Sequence, residues 1–185
     1  LAIMEKARGP DHPDLLGPIN NLAFLYQQQH RFDEAEVLLK RSLAIAEKQR
    51  GVDDPSVRNP LNSLAMLYKR QGRYADAEPL YKRVLALAEK DRGGPDNTYV
   101  QSALNDLIEV YSEQARYADA EPLMRRLFAV ADKKYEADPQ NVVNHLSLHT
   151  ALNRLGRLLQ DTARLDEAET LFRRTSKLPA TELVA

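Results

Sequence analysis

The sequence predicts an all-α protein in which antiparallel helix pairs stack in a row. Three observations support this prediction: two sequence blocks recur four times in register, apolar residues within each repeat follow helical spacing, and Asp, Gly and Pro cluster between repeats. Self-similarity at a fixed period of roughly 20 to 50 residues is typical of a solenoid, in which each unit buries its apolar face against its neighbours.

The first block has an asparagine followed by apolar residues, and its copies are 42, 43 and 48 residues apart. The asparagines are Asn20, Asn62, Asn105 and Asn153. The second block follows the first at a constant distance and begins with an arginine, as in Arg31-Phe32-Asp33-Glu34-Ala35-Glu36. Its other copies begin at Arg73, Arg116 and Arg164.

Each repeat is interpreted as a helix A and a helix B joined by a tight polar turn. In the second repeat, Leu61, Leu64, Ala65 and Tyr68 share one face of helix A, and helix B shows the same spacing. Gly72 in the turn fits the left-handed position that commonly ends a helix. The predicted helices cover residues 1–8, 13–29, 33–50, 55–71, 75–91, 96–114, 118–136, 139–162 and 166–177.

The loops that precede the A helices each contain an Asp near a Pro, which predicts that the Asp caps the next helix and the Pro enters its first turn. The loop with Gly93-Gly94-Pro95-Asp96 belongs to this set. Pro18 and Pro60 should kink helix A or delay its start to about residue 17 or 59. Pro79 and Pro122 should lie near the fourth or fifth position of helix B, where a proline costs little.

The repeat register divides the chain into six segments. Residues 1–10 are the end of a preceding repeat, followed by repeats at 11–52, 53–94, 95–137 and 138–178 and a tail at 179–185. The longer third spacing should extend helix A of the fourth repeat. The chain begins within a repeat, so we interpret it as a segment of a longer protein.

Composition narrows the classes of function. The formal net charge is −1, which predicts no general attraction to nucleic acid or to an acidic membrane, and no apolar run could span a bilayer. The absence of cysteine excludes disulfides and thiolate metal sites. A cytoplasmic location is expected, although the lack of cysteine does not fix the compartment.

The recurring strings Asn20-Asn21-Leu22-Ala23-x-Leu25-Tyr26 and Gly72-Arg73-Tyr74-x-x-Ala77-Glu78-Pro79-Leu80-Tyr81 resemble the tetratricopeptide repeat (TPR) in its 42-residue, kinesin light chain-like form. The resemblance covers nearly the whole chain and is weakest in the fourth repeat, where Leu159 replaces tyrosine. It implies a right-handed superhelix whose A helices line an inner groove that holds partner peptides.

The repeated asparagines are the first candidates for ligand contact. One residue past a core position on each helix A, Asn20, Asn62, Asn105 and Asn153 should form a ladder along the inner face. An amide both donates and accepts hydrogen bonds, which suits a peptide backbone. The alternative is that each asparagine bonds the backbone of a neighbouring repeat and only orders the stack.

Specificity should come from residues one and two turns further along helix A. The groove is predicted to run from apolar to basic to acidic to basic. Its residues are Phe24 and Gln27, then Met66, Lys69 and Arg70, then Glu109, then Arg157. A ligand with a hydrophobic anchor and a following acidic residue would match its first half. The alternative is that these charges only solvate a helix face.

No enzymatic function and no cofactor are predicted, because no nucleophile–base constellation or phosphate-binding loop is visible. His145 and His149 share a helix face at zinc-ligand spacing, but no third ligand is evident, so a structural or surface role is predicted and no metal site.

The predicted function is a protein–protein interaction module that binds an extended peptide or partner segment. The alternative is a spacer, or a sensor or autoinhibitory array, within a larger signalling protein. Solenoid ends need polar caps, which neither end of the chain shows, so self-association through the ends is also predicted.

Overall fold

The structure, a computed structural model, describes residues 2–91 and 97–178, and every regular element within these ranges is helical. This confirms the predicted all-α fold of antiparallel helix pairs. The α-helices are α1 (Ala2–Arg8), α2 (Leu16–Gln28), α3 (Phe32–Arg50), α4 (Arg58–Arg70), α5 (Tyr74–Glu89), α6 (Thr98–Glu113), α7 (Tyr117–Ala137), α8 (Val142–Asp161) and α9 (Leu165–Ser176).

The chain forms two compact units, Leu1–Ala103 and Leu104–Ala185. In the first unit, α2 packs against α3, α3 against α4, and α4 against α5. In the second unit, α7 packs against α8 and α8 against α9. Helices α2, α4, α6 and α8 are the predicted A helices, and α3, α5, α7 and α9 are the predicted B helices.

Apolar side chains from successive helices form the core of each unit. In the first unit, Val57, just before α4, and Leu61 of α4 pack with Ala46 of α3 and with Val84 and Leu87 of α5. In the second, Leu155 and Leu159 of α8 pack with Ala168 of α9. The repeated alanines at the helix A–helix B contact are all buried, as predicted: Ala23, Ala35, Ala65, Ala77, Ala120 and Ala168.

The prolines near the start of helix A delay that helix, as predicted. Short 3₁₀ turns at Pro13–Leu15 and Pro55–Val57 come first, and α2 and α4 then begin at Leu16 and Arg58. The expectation for helix B was wrong by one or two positions. Helix α5 begins at Tyr74, so Pro79 is its sixth residue, and Pro122 has the same place in α7.

The capping prediction is correct for Asp54, whose Oδ1 accepts a hydrogen bond from the Ser56 backbone N–H at 2.8 Å. It is wrong in two loops. His12 Nδ1 caps the first 3₁₀ turn, and Asn141 caps α8. Pro139 therefore precedes α8 and does not enter its first turn, because the helix begins at Val142.

Asn97 Oδ1 accepts a hydrogen bond from the Val100 backbone N–H at 2.8 Å. The predicted Asp96 cap, together with Gly93, Gly94 and Pro95, lies outside the described residues.

The insertion before the fourth repeat extends helix A, as predicted. Helix α8 begins four residues before the position that matches Thr98, the first residue of α6.

All four A-to-B turns have the same backbone geometry. One residue adopts a positive φ in each turn: His30 (58°), Gly72 (70°), Ala115 (54°) and Ala163 (60°). The following arginine N–H then donates to a carbonyl of helix A, for example from Arg73 to Tyr68 at 2.9 Å. Only Gly72 was predicted from sequence, because the other three residue types rarely adopt this conformation.

Two of the turn arginines, Arg73 and Arg164, also form a contact that joins neighbouring repeats, which we call the turn junction. The guanidinium of Arg73 lies 4.2 Å from the centre of the Tyr68 ring, and its Nη1 donates to Glu36 Oε2 of α3 at 2.6 Å. Tyr68 Oη donates to Glu36 Oε1 at 3.0 Å. In the second unit, Arg164 donates to Glu121 of α7 at 2.7 Å.

Both junction carboxylates, Glu36 and Glu121, have lowered pKa values. Burial of Glu36 opposes ionisation, but hydrogen bonds from Lys40, Arg73 and Tyr68 outweigh it and lower its pKa from 4.5 to about 2. Burial of Glu121 is likewise outweighed by Arg164 and Arg125, which lower its pKa. Because these pKa values are below those of the unfolded chain, the junctions stabilise the fold above about pH 4.5 and lose this effect as pH falls.

We predict that Glu36→Gln lowers the free energy of unfolding at neutral pH by roughly 1 to 3 kcal/mol, because it removes a charged hydrogen-bond acceptor. The variant should also lose less stability than the wild type between about pH 4.5 and 2. Thermal unfolding across this pH range measures both effects. Exposed Glu136 provides a control as Glu136→Gln, and an identical pH profile for all three proteins would contradict the prediction.

Gly156 in α8 lies in close contact with helix α9. A Cβ atom at this position would lie 2.7 Å from Cε1 of Phe172 in α9. The matching positions in the first two repeats hold Ala23 and Ala65. The ring of Phe172 therefore occupies the space that a methyl group at residue 156 would need.

We predict that Gly156→Ala destabilises the protein by ~1–3 kcal/mol through overpacking, although alanine favours helix more than glycine does. Gly17→Ala is the matched control, because nothing lies within 4 Å of a Cβ at that helical position. That change should raise stability by roughly 0.4 to 1 kcal/mol. Urea unfolding distinguishes the two variants, and a stabilising Gly156→Ala would show that Phe172 does not restrict this site.

Candidate functional site

The A helices keep one face free of the core, and the predicted site residues lie on this face. In the first unit it belongs to α2 and α4, which both pack against α3. Leu16 of α2 reaches the apolar cluster that contains Leu61 of α4, so the two helices share part of their core. Residues at matching positions on the two helices therefore point to the same side, and we call this surface the α2–α4 face.

On α2, the face contains Asn20, Phe24 and Gln27. Asn20 is half-buried, and its Oδ1 is buried without a hydrogen-bond partner. Phe24 lies one turn further along the helix with 55% of its surface exposed. A buried acceptor beside an exposed aromatic ring combines an unused hydrogen-bonding group with an apolar contact surface.

On α4, Asn62 is half-buried and Met66, the counterpart of Phe24, is 37% exposed. Lys69 Nζ lies 5.8 Å from the centre of the Tyr81 ring of α5. The ammonium group of Lys69 is therefore on the side of α4 that is near α5. Arg70 follows and is exposed. The structure therefore presents an apolar pair and a basic pair on the first unit.

In the second unit, both asparagines are already engaged. Arg154 of α8 donates to Asn105 Oδ1 of α6 at 2.5 Å, and Asn153 Nδ2 lies 3.1 Å from His149 Nδ1. Asn105 thus contacts a neighbouring repeat, through a side chain and not the backbone, whereas Asn153 contacts a residue of its own helix. Glu109 and Arg157, at the positions of Phe24 and Met66, are exposed.

The hydrogen bond from Arg154 to Asn105 is a contact that the repeat pattern did not predict. Arg154 follows the repeated asparagine, where the other repeats have Asn21, Ser63 and Asp106. Because the residue at this position differs in charge and size between the repeats, the repeat pattern alone does not single it out. A long cation one residue past an asparagine is the only sequence feature that could have pointed to this link between A helices.

The histidine pair serves different contacts. His145 is buried in α8 against the ring of Tyr135, with ring centres 5.9 Å apart, whereas His149 faces Asn153. In residues 2–91 and 97–178, no cluster of three histidine or carboxylate side chains could hold a metal ion. In the same ranges, no helix is long and apolar enough to cross a membrane.

Comparison with known proteins agrees with this geometry. Two profiles described as tetratricopeptide repeat match residues 14–90 and 150–178, which together make up more than half of the chain. No curated protein matched the sequence. Tetratricopeptide repeats generally act as protein–protein interaction modules, and their fold is typically a non-catalytic scaffold.

Solved structures support the same fold. The chain is similar to a Podosopora anserina protein described as a putative kinesin light chain with nearly identical TPR-like repeats (TM-score 0.80, 23% identity, 100% of this chain and 84% of that one). A single-residue variant of that protein gives a TM-score of 0.76 at 23% identity, with 96% and 80% covered.

BtubC (BKLC) from P. vanneervenii is similar over 90% of this chain, with a TM-score of 0.71 and 24% identity, and the chain spans 64% of its length. Identities this low establish the fold alone. Combined with the two profile matches and the four repeats, they show that the chain belongs to the tetratricopeptide-repeat family and has repeats of the kinesin light chain-like type.

Proposed function

We propose that the α2–α4 face binds an extended segment of a partner protein. The observation that carries this proposal is the buried Asn20 Oδ1, which has no hydrogen-bond partner although it lies beside exposed apolar surface. Leaving a buried acceptor unpaired costs about 1 to 3 kcal/mol. The half-buried Asn20 side chain would turn this oxygen towards the ligand and recover the energy by accepting a peptide N–H. An extended backbone supplies such donors without regard to its sequence.

Phe24 and Met66 supply the apolar part of the recognition. They hold matching positions on α2 and α4, and both remain exposed although their neighbours in sequence, Ala23 and Ala65, are fully buried. A large hydrophobic side chain of the ligand would contact both residues and be removed from water. Such central apolar anchors contribute most of the affinity in many interfaces.

Lys69 and Arg70 determine the charge that the ligand should carry next to this anchor. Arg70 is exposed at the end of α4, and a carboxylate there would be favoured by the nearby lysine as well. Pairs at an exposed site contribute mainly to specificity and to the association rate. The partner segment is therefore inferred to have a hydrophobic residue followed by an acidic one.

The second unit supports a different role for its asparagines. Because Asn105 is bonded to Arg154, it links the A helices α6 and α8, whereas Asn153 contacts His149 of its own helix; ligand contact would come from exposed Glu109 and Arg157. This arrangement favours the alternative of a spacer or sensor array for this part of the chain.

We also infer that the chain associates with itself. Ile3 is 86% exposed, and Leu25 is 54% exposed, whereas their counterparts Ile45 and Leu67 are buried. Core positions of the repeat thus become exposed apolar surface on α1 and α2.

A direct test uses two synthetic peptide pools, one with a large hydrophobic residue followed by two acidic residues and one with lysines in place of the acids. We predict that the acidic pool binds the wild type, measured by fluorescence anisotropy. Phe24→Ala and the double change Asn20→Ala with Asn62→Ala should each weaken binding about tenfold or more, which corresponds to about 1.4 kcal/mol. Arg70→Glu should invert the preference between the pools.

The matched controls lie on helix B surfaces. Val37→Ala removes an equally exposed apolar side chain of α3, and Lys90→Glu reverses an exposed charge after α5. Circular dichroism shows that each variant is folded. Equal binding of both pools, or no change in affinity on substitution within the α2–α4 face, would transfer the proposal to the spacer or sensor role.

A further inference from the structure

We propose that one face of α8 in the second unit is a docking surface for an acidic α-helix of a partner protein. We call this surface the α8 face, and its exposed residues are Val143, Leu146, Thr150, Arg154 and Arg157. They follow one another at three or four positions along the helix, so their side chains form one stripe about 20 Å long. No residue of this stripe belongs to the α2–α4 face, so the two sites are independent.

The first two turns of α8 present an exposed apolar patch. Val142 is 49% exposed, Val143 70% and Leu146 62%. The two valines lie in the extra turn that the insertion before the fourth repeat adds to helix A. The insertion therefore adds apolar side chains that the core does not bury. Adjacent apolar side chains that remain in water often mark an interaction site.

The exposure of the α8 face is a property of its repeat positions. Thr98, the counterpart of Leu146 in α6, is exposed, and so is every counterpart of Thr150 and Arg157. These counterparts are Gly17, Phe24, Asn59, Met66, Ser102 and Glu109. Because they belong to repeats that are each followed by another repeat, a following repeat does not cover this stripe.

The basic end of the α8 face has no carboxylate partner. Among the described residues, Arg154 contacts only Asn105 Oδ1, at 2.5 Å, and Arg157 has no polar partner. Residues three apart are neighbours on a helix, so the two positive charges repel each other. By contrast, Arg164 of the next turn donates to the Glu121 carboxylate. A carboxylate from a partner would relieve the repulsion on α8, so this face favours an acidic ligand.

The polar groups between the two ends favour a helical ligand over an extended one. Ser147 Oγ and Thr150 Oγ1 each donate to the carbonyl one turn earlier in α8, at 2.7 and 2.8 Å. Asn153 beside them already contacts His149. An extended segment would find few partners here for its backbone N–H and C=O groups, whereas an α-helix satisfies these groups itself.

The order of the apolar and basic ends sets the direction of the partner helix. A carboxylate is most favourable in the first turn of a helix, near the positive end of its macrodipole. The acidic first turn of the partner therefore lies against Arg154 and Arg157, and its later apolar residues lie against Leu146 and Val143. The two helices run antiparallel.

The distance along α8 sets the spacing within the ligand. Leu146 and Arg154 are eight positions apart, which corresponds to about 12 Å of helix. The acidic and apolar residues of the partner helix should therefore be separated by about eight residues. This spacing differs from that of the ligand inferred for the α2–α4 face, in which the acidic residue directly follows the hydrophobic one.

Fluorescence anisotropy with a synthetic helix tests the α8 face on the full chain. The probe is an alanine-based peptide of roughly 20 residues, long enough to be helical alone. It carries two glutamates in its first turns and two leucines that begin about eight residues later. The wild type should bind this probe and should bind a probe with the glutamates and leucines in reverse order about tenfold more weakly.

Two substitutions test the two ends of the face. Leu146→Ala should weaken binding about tenfold, because it removes the apolar contact. Arg157→Glu should abolish binding of the glutamate probe and permit binding of a probe with lysines in place of the glutamates. Both positions are exposed, so the variants should remain folded, which circular dichroism checks. Val37→Ala is the matched control, since Val37 of α3 is 67% exposed and lies in the first unit.

Phe24→Ala distinguishes this site from the α2–α4 face. It should leave binding of the helical probe unchanged, and Leu146→Ala should leave binding of the acidic peptide pool unchanged. The α8 face would be overturned as a helix site by a wild type that does not bind the probe, by equal binding of the two probe orders, or by affinity that neither Leu146→Ala nor Arg157→Glu changes. Loss of probe binding on Phe24→Ala would overturn it as well.

Discussion

The stacking of repeats depends on the turn junction. In this contact, a glutamate of one helix B meets the tyrosine at the end of the next helix A and the arginine of the turn that follows. Shared apolar surface alone would allow neighbouring helix pairs to slide, because it lacks direction. The Glu36 carboxylate instead accepts from Tyr68 and Arg73 at fixed angles, and the arginine is itself held by the Tyr68 ring and by Asp76. Each helix pair is thereby set at one position on the pair before it.

Because the A and B helices have different roles in stacking, part of the surface of the A helices remains available for other contacts. The B helices supply the junction carboxylates, while one face of α2 and of α4 enters the core and the opposite face carries exposed and half-buried residues. On the α2–α4 face, those residues include a buried, unpaired amide oxygen and two exposed apolar side chains. In the second unit, Arg154 donates to the matching asparagine, so the same repeat position is unpaired at Asn20 and engaged between two helices at Asn105.

The helices and the buried alanines could be predicted because a four-fold repetition averages out ambiguity in any one copy. The positive φ of His30, Ala115 and Ala163 could not, because residue preference points away from it and only the demand of the tight turn imposes it. Caps at His12 and Asn141 were missed because several residues in each loop are able to accept the same hydrogen bond. The arginine of each turn is visible in the sequence as a repeated residue. Its partner is not, because Arg73 and Glu36 are 37 residues apart and meet only in the folded stack.

A double-mutant cycle between Glu36→Gln and Arg73→Gln, measured by urea unfolding, tests the central role of the turn junction most directly. We predict a coupling energy of roughly 1 to 3 kcal/mol, as for partners in one hydrogen-bonded network. The exposed pair Asp53 and Lys90 gives the comparison, and a coupling below about 1 kcal/mol is expected there. Effects of Glu36→Gln and Arg73→Gln that add within about 0.5 kcal/mol would contradict the claim that this contact sets each repeat on the one before it.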